Sequence, residues 1–185
     1  MARMVPLPEG QIERTQKPQT WGGATSAESL SSLYASLPLT SSPQTRILKM
    51  RRLDSDEANL EEPQLQGKLS VVDLTDCPTF TALSYAWGDG QGKKRAITCN
   101  DTSIPITANC FNALHSICRV ASTTLDGTNT SKEIPIWVDA ICINQADDAD
   151  KASQIPLMLD IYTWAHTTYI WLGPGNEASD TLYAG

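Results

Sequence analysis

The residues best placed to do chemistry run from Asp139 to Asp150. Asp139-Ala140-Ile141-Cys142-Ile143-Asn144-Gln145 closes an apolar run, and Asp147, Asp148 and Asp150 follow at once. Carboxylates and side-chain amides at such a place can hold a polar ligand, because ligands of open α/β sheets bind beyond the carboxyl ends of the strands. A plainer use competes with this. Asn144 and Gln145 can shape a turn, while aspartates at a helix start satisfy free N–H groups and oppose the helix dipole. Pattern alone favours the plainer use.

Other constellations carry less. Gly88-Asp89-Gly90-Gln91-Gly92-Lys93-Lys94 follows a strand but fails as a phosphate loop. It has three residues between its outer glycines instead of four, a lysine where a hydroxyl should be, and a strand behind it instead of a helix. Ser84, in Leu83-Ser84-Tyr85, lacks the glycines of a nucleophile elbow. Its only imidazole partners would be His115 and His166, both on expected helices. Cys142 ends an apolar run with no flanking cation to lower its pKa, so it reads as a small hydrophobe. Trp87, Trp137 and Trp171 read first as core or rim aromatics.

The elements that must position these groups form an alternating α/β pattern from about residue 45. Strands are expected at 46–50, 68–74, 81–87, 134–143 and 168–172, with a small hairpin at 96–106. Phe111, Leu114, Cys118 and Ala121 recur at helical spacing, with Thr107 or Asn109 available as a cap. Ile155, Met158, Ile161, Tyr162 and Ala165 mark a second helix, which Pro156 should kink or restart near Ser153. Alternation of strands and helices implies parallel pairing with right-handed crossovers. The expected fold is therefore α/β: an open, mostly parallel sheet with flanking helices, carrying an inserted β-hairpin. Residues 1–44 are rich in Ser, Thr, Pro and Gln and read as a mostly disordered leader, in which 30–37 has the spacing of one short docked helix.

Composition narrows the function. At 185 residues the chain suits roughly one domain. With 14 basic and 21 acidic residues it carries a formal charge of −7, which disfavours nucleic acid and anionic membrane surfaces as partners. Five cysteines without a C-x-x-C pair, and two histidines, argue against a disulfide framework and a metal site. No run of about 18 apolar residues suggests a membrane span and no signal peptide is evident, so a cytoplasmic location is expected.

Three ordered blocks resemble the HET (heterokaryon incompatibility) domain of filamentous fungi. They are Ala82-Leu83-Ser84-Tyr85-Ala86-Trp87-Gly88, Ile136-Trp137-Val138-Asp139-Ala140-Ile141-Cys142-Ile143-Asn144-Gln145, and Gln154-Ile155…Met158…Ile161-Tyr162…Ala165…Ile170-Trp171-Leu172-Gly173. The resemblance assigns 45–185 to a HET domain and implies a role in fungal self/non-self recognition and programmed cell death. It also implies a distant likeness to TIR domains, which share a flavodoxin-like α/β layout and several of which cleave NAD. On that likeness Ser84, Tyr85, Trp87, Gly88, Asp139, Asn144 and Gln145 would surround a nucleotide. Asp150 would be the catalytic carboxylate, in a pattern that continues through Asp147, Lys151 and Gln154. The family generally has glutamate there, one methylene longer. NAD would enter as substrate, with no resident cofactor and no metal. The alternative is a non-catalytic module that signals by homotypic assembly, with a second copy or another incompatibility or NLR-type protein as partner.

Overall fold

The computed structural model describes residues 26–41, 43–52, 64–87, 93–123 and 133–174. Its centre is β1 (Gln44–Arg52), where Ile47, Leu48 and Met50 are almost wholly enclosed. A strand apolar on both faces has to lie inside a sheet that is covered on both sides. Accordingly β1 is flanked by β2 (Leu65–Asp73) and by β6 (Ile134–Trp137), both antiparallel to it. Beyond β6 come β3 (Thr81–Tyr85) and β7 (Thr167–Trp171), each pairing in parallel. On the other side β4 (Lys94–Cys99) runs parallel to β2 and forms the expected hairpin with β5 (Thr102–Thr107). The seven strands are ordered β5-β4-β2-β1-β6-β3-β7.

The α/β architecture with flanking helices is as expected, but the sheet is mixed. Three of its pairings are parallel (β2–β4, β3–β6, β3–β7) and three antiparallel (β1–β2, β1–β6, β4–β5). Alternation of strands with helices predicts the parallel half, β6-β3-β7, where helices make the crossovers. It is silent on β1 and β2, which precede the first crossover helix and pair as neighbours in sequence. Asn100 and Asp101, both at positive φ, make the tight turn of the hairpin. Gly67 in β2 is required by close approach, since a Cβ there would lie 2.7 Å from Leu48 Cδ1 and 3.1 Å from the Lys49 carbonyl oxygen.

Three helical regions cover the sheet. The short docked helix expected within 30–37 is α1 (Ser26–Ala35), which buries Leu33 and Tyr34. Residues 1–25 of the proposed leader lie outside the described residues. Helix α2 (Ala108–Thr123) follows β5, and Thr107 Oγ1 caps it by accepting the Cys110 N–H. The third region corrects the expectation of a strand over 134–143. That strand stops at Trp137, and Asp139–Cys142 forms a one-turn helix, α3. Asp139 turns the chain by accepting the Ala140 N–H on its own carboxylate at 2.7 Å. A short apolar run cannot by periodicity alone be told from buried helix. After it, α4 (Asp148–Gln154) gives way at Ile155-Pro156-Leu157 to a 3₁₀ turn, and α5 (Met158–Trp164) resumes, as Pro156 demands. No described helix is long and apolar enough to cross a membrane.

Candidate functional site

Strands β3 and β6 are parallel, and their carboxyl ends open on one side of the sheet, where the chain continues as Ala86-Trp87 and as α3. A cavity of about 740 Å³ lies there. Tyr85 and Trp87 line one part of it, Ala140, Asn144 and Gln145 another. Helix α1 and strand β5 close the far side, and Lys94 of β4 reaches in. The volume is that of a typical small-molecule site. Six of the residues singled out in the sequence, Tyr85, Trp87, Asn144, Gln145, Asp147 and Asp148, therefore share one cavity.

Asp139 stands directly behind this wall. Its Oδ2 accepts the Trp87 indole N–H at 2.8 Å, and the Trp87 ring stacks on Tyr85 with centroids 6.4 Å apart and planes 13° from parallel. Gln145 Nε2 donates to the Asp139 carbonyl at 2.8 Å, tying the loop after α3 to its start. Burial raises the Asp139 carboxyl above its ordinary value, while the hydrogen bonds from Trp87 and Ala140 pull it back. Two consequences can be measured by carboxyl-carbon NMR. Asp139 should titrate above 3.8, and Trp87→Phe should raise it further by removing a bond that favours the charged form. Because the folded value lies above the unfolded one, this group's contribution to stability is full below about 3.8 and is lost as pH rises through the folded value. A titration at or below the ordinary value would contradict the burial.

Asp150 lies in an adjoining cavity of about 450 Å³ that also meets Tyr34, Arg46 and Asn144. Both of its oxygens are engaged. Arg46 Nη1 donates to Oδ2 at 2.9 Å and Nη2 to Oδ1 at 3.0 Å, and the Asn144 backbone N–H donates to Oδ2 at 2.7 Å. The Arg46 and Asp150 side chains are only 3% and 9% exposed. The guanidinium also donates to the carbonyls of Leu37 and Cys142 and lies 5.2 Å from the centre of the Tyr34 ring. Tyr34 in turn donates to the Ile141 carbonyl at 2.8 Å, so α1 is bonded to the turn that carries the candidate residues. The neighbouring acids have structural work. Asp147 caps α4 through the N–H groups of Ala149 and Asp150, and Asp148 pairs with Lys151 at 2.7 Å. Gln154 is buried and donates to the Gln44 carbonyl at 2.9 Å.

The remaining candidates are placed elsewhere. Ser84 alternates with Tyr85 along β3, so its side chain points to the other face of the sheet, toward Tyr162. Gly88 lies outside the described residues. His115 stacks on Phe111 within α2, and His166 is exposed just before β7. Cys142 is fully enclosed, and burial pushes its thiol up to about 12, which leaves it inert as a nucleophile. Sequence reasoning missed Arg46, Tyr34, Lys94 and Asn109. Asn109 donates to the Ala86 carbonyl and accepts the Trp171 indole N–H, both at 2.8 Å, so it braces the chain just ahead of Trp87. Lys94 carried a signal at the end of the glycine-rich stretch, and Asn109 was read only as a possible helix cap.

An α/β module with a cavity at the ends of its parallel strands is the class that fold and site define. The family description "Heterokaryon incompatibility protein (HET)" matches residues 80–184, which include β3, β6, the cavity turn and α4. A curated relative, "Heterokaryon incompatibility protein 6, OR allele" of Neurospora crassa, is 32% identical over 154 residues. That match covers 80% of this chain and 22% of the relative, so the chain spans about a fifth of that protein's length. No solved structure matches the chain. The chain belongs to the heterokaryon incompatibility (HET) family.

Proposed function

We propose that this HET-family chain acts in fungal self/non-self recognition as the part that triggers cell death, by cleaving NAD in the cavity between α1 and the ends of β3 and β6. One observation carries the reading. The cavity joins an aromatic wall, Tyr85 and Trp87, to side-chain amides and one lysine, within a volume of about 740 Å³. Flat rings stack on aromatic side chains, amides fix hydroxyls, and a lysine attracts phosphate. A pyridine nucleotide presents all three groups.

The reaction is hydrolysis of an N-glycosidic bond. The bond between the pyridinium nitrogen and the ribose carbon breaks, its electron pair leaves with neutral nicotinamide, and water adds to the ribosyl cation with release of a proton. Asp150, which lines the adjoining cavity where Asn144 and Asp147 border both, is the carboxylate we assign to the developing cation, its charge offset in part by Arg46. A rigid charge needs no reorganisation during the reaction, and the pair of bonds from Arg46 with the Asn144 N–H keeps it rigid. The test is nicotinamide release from NAD by purified protein. Wild type should turn over, and Asp150→Asn, shown folded by circular dichroism, should lose on the order of a hundredfold or more. A folded wild type that releases none overturns the reading.

A second reading, signalling by assembly of copies of this chain, is favoured by a different observation. Strand β7 ends the sheet, and around it Tyr169, Ile170 and Leu172 are 40%, 70% and 86% exposed. An exposed strand edge carrying apolar side chains is a template for another copy. Concentration-dependent sedimentation that Ile170→Lys abolishes, without NAD loss, would establish it in place of the enzyme.

A further inference from the structure

The wall that holds Trp87 has an electronic consequence. Trp87 lines the cavity and is 44% exposed, while Tyr85 is stacked against it, so among the described residues one face of the indole is open. Its only polar atom is spent on the Asp139 carboxylate at 2.8 Å. An anion accepting the indole N–H leaves the ring richer in π-electron density than a solvated indole would be. An aromatic face attracts cations through its quadrupole, and tryptophan does so most strongly. Two further carboxylates, Asp147 and Asp148, line the same cavity, and among the described lining residues Lys94 is the single base.

We infer that the open face of Trp87 is a subsite for a planar, positively charged heteroaromatic ring, with Asp139 as the positioning residue that holds the indole and strengthens its attraction for the cation. The occupant rests on the nucleotide reading above, in which a pyridinium ring and a phosphate belong to one molecule. The ring takes the Trp87 face, and Lys94 is the group available to the phosphate. Neutral planar rings would still stack, but without the electrostatic gain. The subsite therefore discriminates by charge where shape is the same. Once the glycosidic bond breaks, nicotinamide becomes neutral, and the attraction that held the ring is lost at the moment it has to leave.

The probes are 1-methylnicotinamide, a cation, and nicotinamide, its neutral near-isostere, titrated calorimetrically into the full chain. Wild type should bind the cation about three- to tenfold more tightly. Asp139→Asn keeps an acceptor for the indole but removes the charge, so the preference should fall toward unity with nicotinamide affinity within about twofold of wild type. Trp87→Phe, which keeps a ring but cannot bond Asp139, should show the same loss of preference and serves as the test if Asp139→Asn does not fold. Trp87→Ala should weaken both probes. Equal binding of the two probes by wild type overturns the inference. So does an Asp139→Asn variant that weakens both probes in proportion, because that describes a residue needed only for structure. NAD cleavage without the cation preference removes the subsite and leaves the enzyme, whereas the preference without NAD cleavage keeps the subsite and removes the enzyme.

Discussion

Arg46→Ala is expected to lower folding stability by about 3–5 kcal/mol, because it strands a buried carboxylate without its partner. The guanidinium is 3% exposed and the Asp150 side chain 9%, so little water can take over. The substitution also removes the donors to the Leu37 and Cys142 carbonyls and the cation over the Tyr34 ring. It is therefore a change in how α1, β1, α3 and α4 are joined, and α1 forms one wall of the cavity. Urea unfolding would show it as a lower midpoint at unchanged slope. The double variant Arg46→Met with Asp150→Leu should recover most of the loss, since a buried pair replaced as a unit by apolar groups is often neutral or better. A single-variant cost below about 1 kcal/mol would mean that the pair behaves like an exposed one. The same argument governs any activity test at position 150. Asp150→Ala leaves Arg46 buried and unpaired, so a loss of turnover there means nothing until the fold has been checked.

Trp137→Ala should cost a similar amount, about 3–5 kcal/mol, for a different reason. Trp137 is wholly enclosed at the end of β6, packs edge-on against Tyr162 with centroids 5.5 Å apart, and is the largest of the fully buried side chains. Removing it opens a void in the core. Its indole N–H also donates to the buried Thr45 hydroxyl at 3.1 Å. Trp137→Phe fills most of the space but leaves that hydroxyl without its donor, and should cost about 1–3 kcal/mol. The order matters more than the values. Equal losses for the two variants would mean that the hydrogen bond, and not the packing, dominates at this position.

Much of the chain was legible from local pattern. Thr107 as the cap of α2, the restart at Pro156, the hairpin around Asn100-Asp101 and the docked helix inside 30–37 all follow from chemistry within a few residues. The failure at 134–143 has the same origin, read in reverse. Ile134 to Ile143 is largely apolar whether strand or buried helix, and the turn after Trp137 is made by the Asp139 bond to the Ala140 N–H together with backbone bonds to the Val138 and Asp139 carbonyls. Asn144 and Gln145 could be named in advance because the ends of parallel strands are where open sheets bind ligands, whereas Tyr85 and Trp87 were named on the likeness to TIR domains. Ser84 was named with them but lies on the other face, since neighbouring residues of a strand point to opposite sides.

By itself the sequence determined the family and most of the strands and helices, and it pointed to the end of the sheet where the cavity lies. Each of these is written in residues close together, through periodicity, capping and three ordered motif blocks. Only the tertiary structure decided that the sheet is half antiparallel, that α1 walls the cavity, and that Asp150 is held by an arginine 104 positions earlier. Nothing local distinguishes Arg46 from any other charged residue near the start of a strand. Its burial follows from the order in which β1, β6 and the turn after Trp137 pack, and long-range packing of that kind leaves no spacing to read.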